Sequence, residues 1–167
     1  MKFRKTTVED INNVMKIINE AKEYFRKNRV DQWQNGYPNS DTIYNDIKKN
    51  SSYVLESENK ILATAMVSFE EDKTYKKIYN GEWLNSGNYA VIHRIAVSEK
   101  VKGNGIASAI IKEVEILCKE NRVNSIKIDT HKDNISMQKL LEKNDFKYCG
   151  IIYLDDESER IAFEKLI

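Results

Sequence analysis

The sequence lacks the features that mark secreted, membrane-spanning or multidomain proteins. It contains one proline and two cysteines in 167 residues, and it has no Ser/Gly-rich tract, no internal repeat and no disulfide framework. Its apolar runs are too short to span a bilayer, and the N-terminal letters MKFRKTT have no apolar signal core. We therefore predict a single domain over residues 1–167 that resides in the cytoplasm, with both thiols reduced.

An excess of charge of either sign is also absent. The 27 basic and 26 acidic residues give a formal net charge of +1, which provides no general attraction to nucleic acid or to an anionic membrane. Neither is therefore an expected partner. No group of Cys, His and acidic residues has metal-ligand spacing, and neither a Walker loop nor a Gly-x-Ser-x-Gly motif occurs, so we predict no metal.

One stretch, residues 89–121, carries the strongest signal. Residues 89–97 (YAVIHRIAV) predict a strand, and apolar residues recur at three- and four-residue steps over 106–118, which predicts a helix. Gly103 and Gly105 lie where that helix begins. Glycines let a ligand approach bare N–H groups, and a helix N-terminus adds a partial positive charge that favours phosphate. The stretch therefore predicts a pyrophosphate site. Lys100 and Lys102 flank the loop and add to the attraction.

Two patterns compete for this loop. The letters GNGIAS fit the dinucleotide pattern Gly-x-Gly-x-x-Gly only with Ser108 in the third place, and five residues separate Val97 from Gly103, where that fold needs the turn directly after the strand. A nucleotide-dependent oxidoreductase stays as an alternative function. The better match is the acetyl-CoA loop of the GNAT acetyltransferases, Arg/Gln-x-x-Gly-x-Gly/Ala, which the letters KVKGNG from Lys100 to Gly105 resemble, after the strand letters HRIAV.

A second stretch is similar to the same family. The letters DNISMQKLLEKNDF resemble its motif of an Asn, a helix and Leu-Tyr-x-Lys-x-Gly-Phe, and the matching positions are Asn134, Leu140, Lys143 and Phe146. Two positions depart from the motif. Leu141 stands where many members have a Tyr that protonates the leaving thiolate, and Asp145 replaces the usual Gly.

The resemblance implies both a fold and a reaction. The fold is the GNAT fold, of the α/β (α+β) class, with a mixed central sheet of about seven strands, a splayed parallel pair and about four helices. The reaction is transfer of an acetyl group from acetyl-CoA, as co-substrate, to an acceptor amine by direct attack on the thioester. A non-catalytic acyl-CoA-binding sensor of the same fold is the alternative. The identity of the acceptor, a small-molecule or peptide amine, stays open, as does a possible homodimer.

The resemblance also assigns residues to the acetyl-CoA site. The pantetheine arm would pair with the end of the predicted strand, and the pyrophosphate would bind the glycine loop and the helix start. The expected cofactor-binding residues are Ile95, Ala96, Val97, Lys100, Val101, Lys102, Gly103, Asn104, Gly105, Ile106, Ala107, Ser108 and Asn134.

Three residues are candidates for proton transfer. Asp129 lies where some members carry a Glu base, and a solvated or ion-paired strand acid is the equal alternative. His131 ends the same predicted strand, and Tyr153 could protonate the leaving thiolate. His93 shares the apolar face of its own strand by alternation, which predicts a packed histidine.

The first half of the chain gives weaker signals. Thr6 and Glu9 have the spacing of a capping box before the first helix. Trp33 and Tyr37 lie on a loop, where they either pin it to the core or, as substrate-site candidates, wall the acceptor cavity. The charged stretch around residues 70–88 predicts a solvated excursion between two strands, although its aromatics could also line the acceptor site.

Overall fold

The computed structural model describes all 167 residues, which form seven strands and four helices. The strands are β1 (Lys2–Lys5), β2 (Ser52–Ser57), β3 (Lys60–Ser68), β4 (Ala90–Val97), β5 (Ser125–Thr130), β6 (Lys147–Tyr153) and β7 (Glu159–Leu166). The helices are α1 (Ile11–Lys27), α2 (Ser40–Lys48), α3 (Ile106–Glu120) and α4 (Ile135–Lys143). Short 3-10 turns occur at Val8–Asp10, Lys73–Tyr75 and Glu99–Val101.

The strands form one mixed sheet in the order β1-β2-β3-β4-β5-β7-β6. β1 with β2, β2 with β3, β5 with β7 and β6 with β7 are antiparallel. β4 and β5 are parallel neighbours, and their pairing covers Ala90 with Ile126 and Val91 with Lys127. The predicted mixed seven-stranded sheet with a parallel pair and four helices is confirmed.

Two compact units make up the chain. The first contains Met1–Val67 and His93–Glu113, and its core includes Val14, Ile18 and Val54. The second contains Ser68–Ile92 and Val114–Ile167, and its core includes Tyr75, Val91 and Ile152. The expectation of a single domain stays a prediction. None of the helices has both the length and the apolar character that crossing a membrane would require.

The capped 3-10 turn that leads into α1 begins one residue later than the sequence predicts. Thr7, and not Thr6, precedes the opening turn, and its N–H donates to the carboxylate of Asp10 at 2.8 Å. Asp10 is fixed there because Arg4 donates to both of its carboxylate oxygens, at 2.7 and 3.1 Å. Thr6 is instead buried, and its hydroxyl oxygen accepts a hydrogen bond from Ser52 at 2.7 Å. The predicted capping box of Thr6 and Glu9 is therefore wrong.

All four helices end in a left-handed residue that is not glycine. These residues are Arg29, Asn50, Arg122 and Asp145, with φ between 54° and 65°. After α4, the N–H of Phe146 donates to the Leu141 carbonyl at 3.0 Å and the N–H of Asp145 donates to the Glu142 carbonyl at 3.1 Å. These two bonds form a Schellman motif, whose left-handed position favours glycine. The departure at position 145 therefore falls where the backbone needs a positive φ.

We expect Asp145→Gly to raise the free energy of unfolding by about 0.5–1 kcal/mol, because glycine adopts the left-handed conformation without a Cβ penalty. Urea unfolding of the purified variant measures the change. Lys143→Gly, inside the last turn of the same helix, is the matched control and should lower the free energy of unfolding by about 1 kcal/mol. If Asp145→Gly proves less stable than the wild type, the interactions of the Asp145 carboxylate stabilise the fold by more than the left-handed backbone at this residue destabilises it.

The β3–β4 segment (residues 69–89) exposes its lysines and glutamates, as its charges predict, but Tyr75 and part of its backbone are packed inside the second unit. Tyr75 is only 2% exposed and belongs to the core of the second unit. Tyr79 forms two backbone hydrogen bonds with Ile151 of β6, each at 2.8 Å. Two glycines allow this approach: a Cβ on Gly81 would lie 2.0 Å from the Cys149 carbonyl oxygen, and a Cβ on Gly150 would lie 2.5 Å from that of Tyr79. The segment is thus packed against β6 through its backbone.

This packing predicts that Gly81→Ala lowers the free energy of unfolding by about 2–3 kcal/mol, because a methyl group there must push backbone atoms apart. Gly87→Ala, in the same segment, is the matched control. The atom nearest to its Cβ would be the Asn85 side-chain oxygen at 3.3 Å, which can move. Chemical denaturation of both variants measures the difference, and equal stabilities would mean that the segment is not closely packed on β6.

Candidate active site

The glycine loop presents bare backbone at the start of α3. Gly103 and Gly105 have φ of +86° and +75°, and no atom lies within 4 Å of the position that a Cβ would take on either residue. Within α3, the N–H of Ala109 bonds to the Gly105 carbonyl at 2.9 Å. The N–H groups of the turn before it, such as that of Ile106, have no partner inside the helix. Open space, glycine backbone and the positive end of the helix dipole together fit a diphosphate.

The lysines beside this loop differ in their surroundings. Lys100 is exposed in the turn Glu99–Val101. The ammonium of Lys102 lies 3.2 Å from the ring centroid of Tyr24 in α1. The turn is also tied to α1, because the N–H of Glu99 donates to the carboxylate of Glu20 at 2.8 Å. The structure therefore places one predicted phosphate ligand, Lys102, on an aromatic ring of the neighbouring helix.

The end of β4, expected to pair with pantetheine, contains a backbone irregularity. Arg94 has a φ of +52°, which interrupts the two-residue alternation of a strand. His93 is half-buried, and its role as a packed histidine stays a prediction. Ala96 is 6% exposed and belongs to the core of the first unit, whereas Ile95 and Val97 are half-buried.

Arg94 also forms an ion pair that the sequence analysis missed. Its Nε and Nη2 donate to the two carboxylate oxygens of Asp46 in α2, each at 2.8 Å. Both side chains are nearly buried, at 12% and 9% exposure. The Nη1 group of Arg94 donates to the hydroxyl of Tyr37, so this loop residue is held by a charged pair. The sequence did contain one indication of this ion pair. Arg94 is a charge inside an otherwise apolar strand, and such a charge needs a buried partner.

The two aromatic candidates on the loop before α2 differ in exposure. Trp33 packs against the core of the first unit, with its ring edge-on to Phe25 at 5.5 Å between centroids. This arrangement favours the interpretation that Trp33 pins the loop. Tyr37 is 40% exposed. Its role as a substrate residue stays a prediction.

Asp129 is joined to a residue from the β3–β4 segment. The hydroxyl of Tyr75 donates to the Oδ1 of Asp129 at 2.6 Å. Burial raises the pKa of Tyr75 well above its ordinary value, and the negative charge of Asp129 adds to the increase. Tyr75 therefore keeps its proton and acts as a hydrogen-bond donor to the carboxylate.

Tyr153, another catalytic candidate, lies apart from Asp129 in the sheet. Tyr153 pairs with Glu159 in β7, whereas Asp129 pairs with Ala162. Three residues along β7 and two strand spacings place the Cα atoms of Asp129 and Tyr153 about 14 Å apart. Tyr153 is 43% exposed, and its ring lies edge-on to Tyr79.

His131 and Asn134 lie in the turn before α4. The Nδ1 of His131 accepts the N–H of Asp133 at 3.2 Å. The side chain of Asn134 accepts the N–H of Met137 at 3.1 Å, so it caps the helix. Capping accounts for an Asn at this position. Contact of Asn134 with acetyl-CoA and proton transfer by His131 stay predictions.

Position 141 and the two thiols are part of the protein interior. Leu141 is completely buried in α4. Cys118 and Cys149 are both free and buried. Burial raises the pKa of Cys118 to about 12 and that of Cys149 to about 11. Because thiolates attack and thiols do not, neither cysteine is set up to carry an acyl group near neutral pH.

Comparisons with known proteins agree on one family. The model of the acetyltransferase (GNAT) family matches residues 14–146. An acetyltransferase of the GNAT family from Streptococcus agalactiae has a crystal structure that is 31% identical, with a TM-score of 0.91 over 99% of this chain and 95% of that one. A PaiA N-acetyltransferase from Thermoplasma acidophilum, solved in complex with coenzyme A, is 15% identical, with a TM-score of 0.73 over 99% and 98% of the two chains. At that identity the likeness concerns the fold alone.

A curated relative has a named substrate class. An S-alkylcysteine N-acetyltransferase from Bacillus subtilis is 27% identical over 114 residues, which cover 68% of this chain. The match spans only 58% of the length of that relative.

Proposed function

Since the chain belongs to the GNAT acetyltransferase family, we propose that its acceptor is the α-amino group of a small amino-acid-like molecule and that Asp129 accepts the proton. The enzyme is an acetyltransferase, with acetyl-CoA as its co-substrate and an amine as the acceptor. Acetyl-CoA supplies an activated acetyl thioester. The chain's residues have to hold it, orient the amine and remove a proton.

The observation that supports binding of acetyl-CoA is the left-handed, open backbone at Gly103 and Gly105. Two bare N–H groups beside a helix N-terminus give directed hydrogen bonds and positive potential to an anion. Lys102 and Lys100 add positive charge near that point. A binding site built from backbone tolerates the replacement of the family's usual Arg/Gln by Lys100.

Asp129 is the proposed base because an amine attacks only in its neutral form. A lysine-like amine has a pKa of about 10.4, which is about 3.4 units above neutrality, so its deprotonation at pH 7 costs about 4.6 kcal/mol. An α-amino group with a pKa near 7.8 needs only about 1 kcal/mol. A carboxylate that takes a proton from the nitrogen as the N–C bond forms, directly or through water, speeds the transfer in either case.

The choice of an α-amino acceptor is supported by the curated relative, which is named for N-acetylation of S-alkylcysteines. Such substrates are small and carry one amine. The near-zero net charge of this chain also gives no long-range attraction to a strongly basic or acidic macromolecule.

A panel of acceptors with labelled acetyl-CoA tests the proposal. S-methylcysteine, an alkyl diamine and a short peptide with an unblocked N-terminus are compared by initial rate. We expect kcat/KM for S-methylcysteine to exceed that for the diamine by at least about tenfold, a difference of about 1.4 kcal/mol. A preference for the diamine or the peptide would overturn the proposed acceptor. Acetyl-CoA binding without any acetylated amine would instead favour the non-catalytic sensor.

A further inference from the structure

Tyr75, in the β3–β4 segment, contacts Asp129, although the two residues are 54 positions apart in the chain. The segment fixes Tyr75 at its backbone, while Asp129 of β5 holds its hydroxyl. Asp72 caps the turn that contains Tyr75, because its carboxylate accepts the N–H of Thr74 at 2.9 Å. The indole N–H of Trp83 donates to the Tyr75 carbonyl at 2.9 Å. The tyrosine ring is therefore held by the segment's own bonds.

A buried carboxylate anchors the far end of the segment. Glu164 of β7 is completely buried. Its Oε2 accepts the backbone N–H groups of Leu84 at 2.6 Å and of Asn85 at 3.3 Å, and its Oε1 accepts the hydroxyl of Ser125. A charge without water requires such partners. The Glu164 carboxylate thus binds the main chain of the segment, and these bonds do not depend on the segment's side chains.

A buried ammonium forms a second anchor. Lys127 of β5 is 4% exposed, and its Nζ lies 4.3 Å from the ring centroid of Trp83 and 3.9 Å from that of Tyr89. Burial lowers the pKa of Lys127, and the charge of Glu164, its partner in the β5–β7 register, opposes that shift. Cation–π attraction is strongest where water is excluded. Lys127 therefore holds two aromatic side chains of the segment.

We propose that Tyr75 is a positioning residue for the Asp129 base, held in place by the Glu164 and Lys127 anchors of the β3–β4 segment. This inference rests on the proposed function, in which Asp129 accepts the proton of the acceptor. The Tyr75 hydroxyl donates to Oδ1 and so fixes the rotation of the carboxylate. In the proton transfer, an N–H bond of the amine breaks and an O–H bond forms on Asp129, while Tyr75 keeps its own proton.

Tyr75→Phe tests the inference because it removes the hydroxyl and keeps the buried ring. We expect kcat to fall about tenfold, the effect of one hydrogen bond to a charged group. The KM for acetyl-CoA and the thermal unfolding temperature should stay near those of the wild type. Tyr148→Phe is the matched control. Tyr148 is 54% exposed, with its ring edge-on to Phe163 of β7, so loss of its hydroxyl should leave kcat near the wild-type value.

The double variant separates this inference from the proposed function. In the Asp129→Asn background, Tyr75→Phe should cause no further loss of kcat, because the hydroxyl acts through the carboxylate. A further tenfold loss in that background would overturn the positioning role. An unchanged kcat in Tyr75→Phe, with a slow Asp129→Asn, would also overturn it and leave the proposed base intact. Wild-type activity in Asp129→Asn would overturn the proposed base itself.

Discussion

Gly103→Val and Gly105→Val should each weaken coenzyme A binding by about a hundredfold or more, or about 2.7 kcal/mol. Two effects combine. Each residue has a positive φ, which a β-branched side chain adopts only with strain. Each also borders open space that the phosphates would use and that the new side chain would fill. Calorimetric titration of coenzyme A into each variant measures the loss.

Gly36→Val is the control that separates the effect of backbone strain from the effect of filling the phosphate site. Gly36 has a φ of +84° and is equally open, but it lies on the loop before α2. Its valine variant bears the same backbone penalty and should bind coenzyme A with wild-type affinity. If the loop variants fold and keep wild-type affinity, or if Gly36→Val loses as much, the assignment of the glycine loop to pyrophosphate is wrong.

Asp129→Asn should lower the rate of acetyl transfer near neutral pH by about a hundredfold, the usual contribution of a positioned base. Asn has nearly the same shape but cannot accept the proton. Because the neutral fraction of the amine grows as the pH rises, the variant should regain part of its rate at higher pH. The wild type, which removes the proton itself, should depend less steeply on pH. Rates at saturating acetyl-CoA over a pH series provide the comparison.

Asp155→Asn is the control for the loss of a carboxylate. Asp155 is exposed and pairs with Lys73 at the surface at 2.7 Å, so its variant should match the wild type at every pH. Parallel pH profiles for wild type and Asp129→Asn would mean that Asp129 does not handle the proton, and His131 and His93 would become the candidates. An unchanged rate in Asp129→Asn at every pH would mean that Asp129 has a structural role only.

The glycine loop could be predicted because all of its information is local. Strand, glycines and helix follow one another within 89–121, and the loop's proposed function depends on backbone that glycine leaves bare. The helix ends show the opposite case. Arg29 and Arg122 take the left-handed conformation without glycine, so the usual signal for a helix end is missing and only the hydrogen-bond pattern identifies it.

The side-chain contacts of Arg94 and of Asp129 could not be predicted, because each joins distant parts of the chain. Arg94 and Asp46 are 48 residues apart, and Tyr75 and Asp129 are 54 apart. The charges of the β3–β4 segment predict exposure to solvent. They do not reveal that Glu164 and Lys127, which lie in other strands, bind the segment. Both are buried charges within strands, which need partners, but the sequence does not show where those partners lie.

Initial rates with both acetyl-CoA and the amine varied test the central claim, direct transfer between two bound substrates, most directly. The account predicts turnover that requires both substrates, one acetylated amine for each coenzyme A released, and intersecting double-reciprocal lines. Parallel lines together with an acetylated enzyme would contradict it, because they would route the acetyl group through a protein side chain such as Cys149.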